Sequence, residues 1–192
     1  MRKLVVSMYV SLDGVIEDPV GMEASGLGDW TGPFKRGPEG DKFKFDELFA
    51  SDAVLLGRVT YDAFAPVWPD VKDEAGFGDR MNALPKYVPS RTLDTADWNN
   101  TTIWRGDLAT EVAKLKAGEG GDIIVYGGAA LVHTLAEHDL VDEFRLMIYP
   151  VVLGRGKKLF PDGTRIGLAL AESKVLGSGI VLMRYTRVPA QA

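Results

Sequence analysis

The sequence predicts an α/β fold: a mostly parallel mixed sheet, antiparallel strands at its C-terminal end, and helices on both faces. Three observations carry this. Short apolar, β-branched runs alternate with segments of helical spacing as far as Glu137; runs of that kind suit parallel strands buried on both faces. From Glu143 onward the pattern turns β-rich, which places antiparallel strands at one end. Glycines mark two of the junctions where a strand feeds a helix, at Gly57 and at Gly127-Gly128.

The elements follow in order. Residues 3–10 form the first strand. Residues 17–40 are rich in Gly, Pro and charge and predict no long regular element, but Trp30 and Phe34 within them require a loop that packs on something. Residues 41–50 form a helix, with Asp41 at its N-cap and Phe43, Leu48 and Phe49 as its apolar side. Ala53–Leu56 is a buried strand ended by Gly57, and helix resumes over 59–65 until Pro66. Lys86–Ser90 is a short strand in which Pro89 signals the end. Thr101–Trp104 is another strand, and Asp107 caps a helix over 108–117 that Gly118 stops. Ile123–Tyr126 feeds Gly127-Gly128 and a helix to about Glu137. Glu143–Leu153 reads as one long strand, and 169–188 as two more joined near Gly177-Ser178-Gly179.

Composition narrows the function. At 192 residues the chain is most simply a single domain, 1–192. It is 46% hydrophobic and 26% charged, enough for a sizeable core. A net charge of −5 without a basic tract argues against nucleic acid as a partner. The chain has no cysteine, which removes disulfides and thiolate chemistry. His133 and His138 are five apart on a predicted helix, share no face and read as ordinary helix residues, so no metal is expected. The N-terminal apolar run is too short to span a membrane and predicts no secretory leader; the expected location is the cytoplasm.

The chemistry gathers at strand ends. Gly127-Gly128 lets a ligand approach the backbone, and the first amides of the helix that follows, at Ala129 and Ala130, suit a phosphate. The adjacent glycines are not the G-x-G-x-x-G dinucleotide fingerprint, and a plain strand-to-helix connection is the alternative. Gly57-Arg58-Val59-Thr60 repeats the arrangement, with Arg58 suited to bidentate phosphate contact. Ser90-Arg91-Thr92 ends another strand, and in a parallel sheet all three ends line one edge. Arg58 and Arg91 together suit a ribose 2′-phosphate; a solvated Arg58 and a turn-forming Arg91 are the alternatives. The aromatics Tyr9, Trp30, Tyr61 and Trp68 are candidates to stack on a substrate ring, with core packing as the alternative.

These pieces, in this order, resemble the dihydrofolate reductase-like superfamily, and more closely the C-terminal reductase domain of the bifunctional riboflavin-biosynthesis deaminase/reductase. The resemblance rests on Ser11-Leu12-Asp13-Gly14, Leu55–Tyr61, Ser90–Leu93, Tyr126–Ala129, and Val141–Phe144 leading into Pro150–Gly154. It implies a dihydrofolate reductase-like three-layer fold with NADPH as hydride donor. Gly57, Arg58, Thr60, Ser90 and Arg91 would hold the adenosine-phosphate end of the cofactor. Gly127, Gly128, Ala129 and Ala130 would hold the pyrophosphate, and Asp13–Ile16 would form the loop over the nicotinamide. Asp41 and Asp46 fall near the helix that carries the catalytic carboxylate of dihydrofolate reductases, with solvated helix carboxylates as the alternative; Asp13 is a further candidate to contact substrate, with Asp-Gly turn chemistry as the alternative. The implied activity is reduction of a pterin or ribosylaminopyrimidine-like ring, of the phosphoribosylaminouracil reductase type. A non-catalytic nucleotide-binding or regulatory protein and a dihydrofolate reductase are the alternatives. The resemblance also implies a homodimer, and the apolar Phe144–Leu153 run is the expected interface. The deaminase half and its zinc ligands have no counterpart in these residues, and the Gly/Pro-rich stretch departs from the compact segment of dihydrofolate reductase.

Overall fold

The computed structural model describes residues 1–188. Its frame is an eight-stranded sheet. The strands are β1 (Leu4–Ser11), β2 (Ser51–Leu56), β3 (Lys86–Pro89), β4 (Thr101–Trp104), β5 (Asp122–Tyr126), β6 (Glu143–Tyr149), β7 (Leu168–Val175) and β8 (Val181–Arg187). Their order across the sheet is β4-β3-β2-β5-β1-β6-β8-β7. β1 to β6 are parallel, while β8 pairs antiparallel with both β6 and β7.

The central strands carry apolar residues on both faces because both are covered. Even-numbered residues of β1 (Leu4, Val6, Met8, Val10) join Leu55, Ile123 and Val125 on one face, under the helices α4 (Leu108–Ala117) and α5 (Ala129–Glu137). Val54, Leu56, Val88 and Ile124 form the other face. It is covered by Leu48 of α1 (Gly37–Phe49), Tyr61 of α2 (Arg58–Phe64) and Met81 of α3 (Phe77–Ala83). Each such Val, Leu or Ile contributes about 2 kcal/mol of burial before conformational entropy is charged against it.

Most predicted elements form within a residue or two of their expected ends, and the differences have local causes. α1 begins at Gly37, not at residue 41, with Pro38 in its first turn, where the missing N–H is harmless. Asp41 therefore does not cap it, and pairs instead with Arg36 at 2.9 Å. Phe49 is 41% exposed and stacks on Phe45, leaving Leu48 to face the core. α3 had no expectation because its seven residues include only two large apolar side chains, Phe77 and Met81. β6 ends at Tyr149, where Pro150 interrupts the predicted run. Its second face is closed within the chain. The irregular 17–36 loop lays Trp30 and Phe34 edge-on against Tyr149, at 5.7 and 5.8 Å between ring centroids. The Trp30 Nε1–H donates to Glu17 O at 2.9 Å, which closes the loop on its own start.

Candidate active site

Parallel strands present their C-terminal ends at one edge, and two adjacent depressions lie there. A cleft of about 330 Å³ runs between Gly57–Val59 and the start of α5, with Gly128, Ala129 and Ala130 in its wall. A cavity of about 520 Å³ lies beside it, lined by residues of β1, α1, α2 and the irregular loop. Ile16 and Glu23 line both, and the Thr60 hydroxyl donates to Glu23 Oε1 at 3.3 Å.

Two glycine turns meet in the cleft. Gly127 and Gly128 have φ of +67° and +83°, the left-handed region open to glycine. A Cβ on Gly57 would lie 2.8 Å from Gly128 Cα, and a Cβ on Gly128 would lie 2.9 Å from Gly57 Cα. A Cβ on Gly127 would run into the Thr60 side chain. The β2–α2 and β5–α5 turns are thus in backbone contact, a proximity that side chains at these positions would prevent. Among the described residues no side chain caps α5, so its first amides face the cleft without a side-chain partner.

Arg58 stands at the rim. Its Nε donates to Asp62, at 2.8 and 2.9 Å to the two oxygens, and Nη1 donates to Thr92 Oγ1 at 3.2 Å. That last bond joins the turn after β3 to the start of α2. Ser90 shapes the turn: its Oγ accepts from Leu93 N at 3.0 Å. Arg91 is exposed beside it. The three strand ends named in the sequence therefore share one edge. Gly57, Arg58, Gly128, Ala129 and Ala130 line the cleft, while Gly127 and Thr60 line the cavity.

At its β1 and β5 side the cavity is polar. Lys44 Nζ donates to Ser7 Oγ at 3.0 Å and to Glu47 Oε1, and sits 4.7 Å from the centroid of Tyr126 and 5.3 Å from that of Tyr9. Glu47 is 3% exposed and also accepts from Ser7 Oγ at 2.9 Å and from the Tyr126 hydroxyl at 3.3 Å. Burial, and then the Glu47 carboxylate, push the Tyr126 hydroxyl well up, so it stays a proton donor. Glu47 Oε2 is buried and has no hydrogen-bond partner among the described residues, and Arg145 Nη1 lies 4.0 Å from it. Arg36 donates to the Tyr9 hydroxyl and pairs with Asp41 at the cavity margin.

The structure separates the other candidates. Asp46 lies on the solvent side of α1, paired with Lys42 at 2.6 Å, and lines neither depression. One residue on, Glu47 turns inward, because successive helical residues are rotated by about 100°. Asp13 is committed to its turn: it accepts from Ser11 Oγ at 2.6 Å, Leu153 N at 3.1 Å and Gly154 N at 2.7 Å. These bonds, Ser11 first, hold its carboxyl down at about 2. They fasten the end of β1 to the segment after β6. Tyr9 and Trp68 line the cavity. Trp30 packs on Tyr149, and Tyr61 is 4% exposed with its hydroxyl accepting from Trp98 N at 3.4 Å; both are core residues. Lys44, Glu47 and Arg36 had no place in the sequence reading. The signal present was the Lys44/Glu47 spacing of three on a helix whose next residue, Leu48, faces the core.

Comparison with known proteins agrees with this architecture. The chain is 36% identical to the uncharacterized protein YyaP of Bacillus subtilis over 188 residues, covering 96% of this chain and 94% of that one. In structure it resembles a protein from Shewanella sp. PV-4 assigned to riboflavin biosynthesis, with a TM-score of 0.76 at 21% identity, covering 97% and 99% of the two chains. A dihydrofolate reductase from Enterococcus faecalis shares the fold more distantly, with a TM-score of 0.55 at 13% identity over 96% of each chain. The family of the RibD C-terminal domain matches residues 2–182. With its glycine-apposed cleft, adjoining cavity and mixed sheet accounted for, the chain belongs to the RibD C-terminal domain family.

Proposed function

We propose that this chain is an NADPH-dependent reductase of the riboflavin-pathway type that delivers a hydride to a planar pterin- or aminopyrimidine-like ring. The observation that carries the reading is the backbone contact of Gly57 with Gly128 in a cleft that adjoins the larger cavity. NADPH fits the cleft by its chemistry. The α5 amides suit a pyrophosphate, and Arg58 in the cleft wall suits the adenosine ribose phosphate, while Ser90 and Arg91 line neither depression. The bound cofactor supplies the hydride.

The chain's own residues do the rest. Ile16, shared by both depressions, shields the junction from water. Lys44 uses two N–H groups on Ser7 and Glu47, leaving a third for a ring nitrogen or carbonyl of the substrate. In this role Lys44 is the proton donor that completes the reduction, and Glu47 holds it in place. By the same reading the enzyme works in the cytoplasm as a homodimer. Exposed apolar side chains on β7, Leu170 and Val175 at 55% and 70%, offer a contact surface.

The test is a titration with NADPH followed by quenching of tryptophan emission, then assays for loss of nicotinamide absorbance with pterins and aminopyrimidines. Saturable binding and turnover are expected. Binding with no turnover would favour a nucleotide-binding role, and absence of binding would refute the proposal.

A further inference from the structure

We propose that the larger cavity selects a substrate without a phosphate: an uncharged planar heteroaromatic with an acceptor edge for Lys44 and an apolar substituent. The inference rests on the reductase reading and narrows its substrate class.

Three features point this way. Away from Lys44 the wall is apolar, built by Met22, Phe45, Phe64, Trp68, Phe77 and Met81. Such a wall rewards a flat ring or an alkyl or aryl group and offers nothing to a phosphoryl oxygen. The charge balance is also adverse to an anion. Three carboxylates line the cavity, Asp18, Glu23 and Asp41, against two cations, Arg36 and Lys44. Lys44 is already offset by the buried Glu47 behind it. Arg145, on the far side of Glu47, is balanced by Glu143 and Asp122. Arg36 is occupied by Asp41 and the Tyr9 hydroxyl.

The third feature is the behaviour of Glu23, which lies between cleft and cavity. Desolvation, and then the Asp18 carboxylate, push its carboxyl up, so that position already disfavours one negative charge. A phosphate dianion there would meet the same opposition with twice the charge. The features that suit phosphate, the α5 amides with Gly57 and Gly128, belong to the neighbouring cleft. The site divides its labour: phosphates in the cleft, an uncharged ring in the cavity.

The decisive comparison uses aminoribitylaminouracil and its terminal phosphate ester, which share ring and chain, together with pterin as a ring alone. Each is titrated into the whole protein, with and without saturating NADP⁺, and Trp68 emission is followed; a Trp68→Phe control assigns the signal. The phosphate-free compound is expected to bind tighter than its ester by about tenfold or more. Glu23→Gln and Asp41→Asn are each expected to narrow that ratio by strengthening the ester alone. Asp41 is a surface residue with a 62% exposed side chain, so its variant keeps the test independent of folding. Ester binding as tight as or tighter than that of its parent overturns the proposal, as does failure of all three compounds to bind. Failure of NADP⁺ to bind strikes the reductase reading instead, and the titrations without cofactor still decide between the ring ligands.

Discussion

Gly57→Ala isolates the contact between the two glycine turns. Gly57 has φ −66° and ψ 154°, values that alanine adopts without strain, so the backbone conformation is not the obstacle. The obstacle is the new methyl, 2.8 Å from Gly128 Cα where ordinary contact begins at 3.4 Å. Both atoms belong to backbone or are fixed to it, so the turns must separate by roughly 0.6 Å. Overpacking of this kind costs about 1–3 kcal/mol of stability. In a chain of this size that lowers the melting temperature by about 2–4 °C per kcal/mol. A sub-ångström shift of the α5 amides relative to Arg58 is expected to weaken NADPH roughly tenfold to a hundredfold. Thermal melts and NADPH quenching titrations on the same preparation read both effects. A variant with unchanged melting temperature and unchanged affinity would refute the account of the cleft.

Other outcomes follow from single groups. Arg58→Ala is expected to weaken NADPH by roughly tenfold to a hundredfold while leaving NADH unchanged, checked by paired titrations. Lys44→Met is expected to lower kcat by about 10²–10⁴ with cofactor binding retained, read from single-turnover rates against direct binding. Asp13, held down at about 2 by Ser11 and the amides of Gly154 and Leu153, contributes stability above the ordinary aspartate value of 3.8. That contribution is lost as pH falls through about 2, and Asp13→Asn should flatten the acid limb of a denaturation-versus-pH curve. Lys86, fully buried on β3, is lowered by burial to about 8 from 10.5. The unfolded chain therefore holds its proton more firmly, so stability should rise with pH between about 8 and 10.5. Lys86→Met should remove that rise, at the cost of leaving the carbonyls of Asn82, Leu84 and Asn99 without their donor.

The sheet was legible because its signal is local. Val54-Leu55-Leu56 and Ile123-Ile124-Val125 carry apolar side chains on both faces and read as buried strands without any partner in view. The glycine turns were legible for the same reason: a strand, two glycines and small residues define the bend. What the sequence hid depends on rotation and distant partners. Asp46 and Glu47 are chemically alike and adjacent, and the helix start at Gly37 decides which one turns inward. The irregular loop obscured that start. Trp30 reads as a candidate for a ring stack, with packing as the alternative, because Tyr149, which receives it, lies far along the chain. Lys44 escaped notice because a lysine on a helix is ordinarily solvated; only the convergence of Ser7, Tyr126 and Glu47 gives it a place.

The most direct measurement is a crystal structure of the protein with NADP⁺. The account predicts its pyrophosphate against the amides of Ala129 and Ala130, its adenosine phosphate near Arg58, and its nicotinamide entering the cavity beside Ile16 on the way to Lys44. A cofactor bound on any other surface, with the Gly57–Gly128 cleft still open, would contradict it.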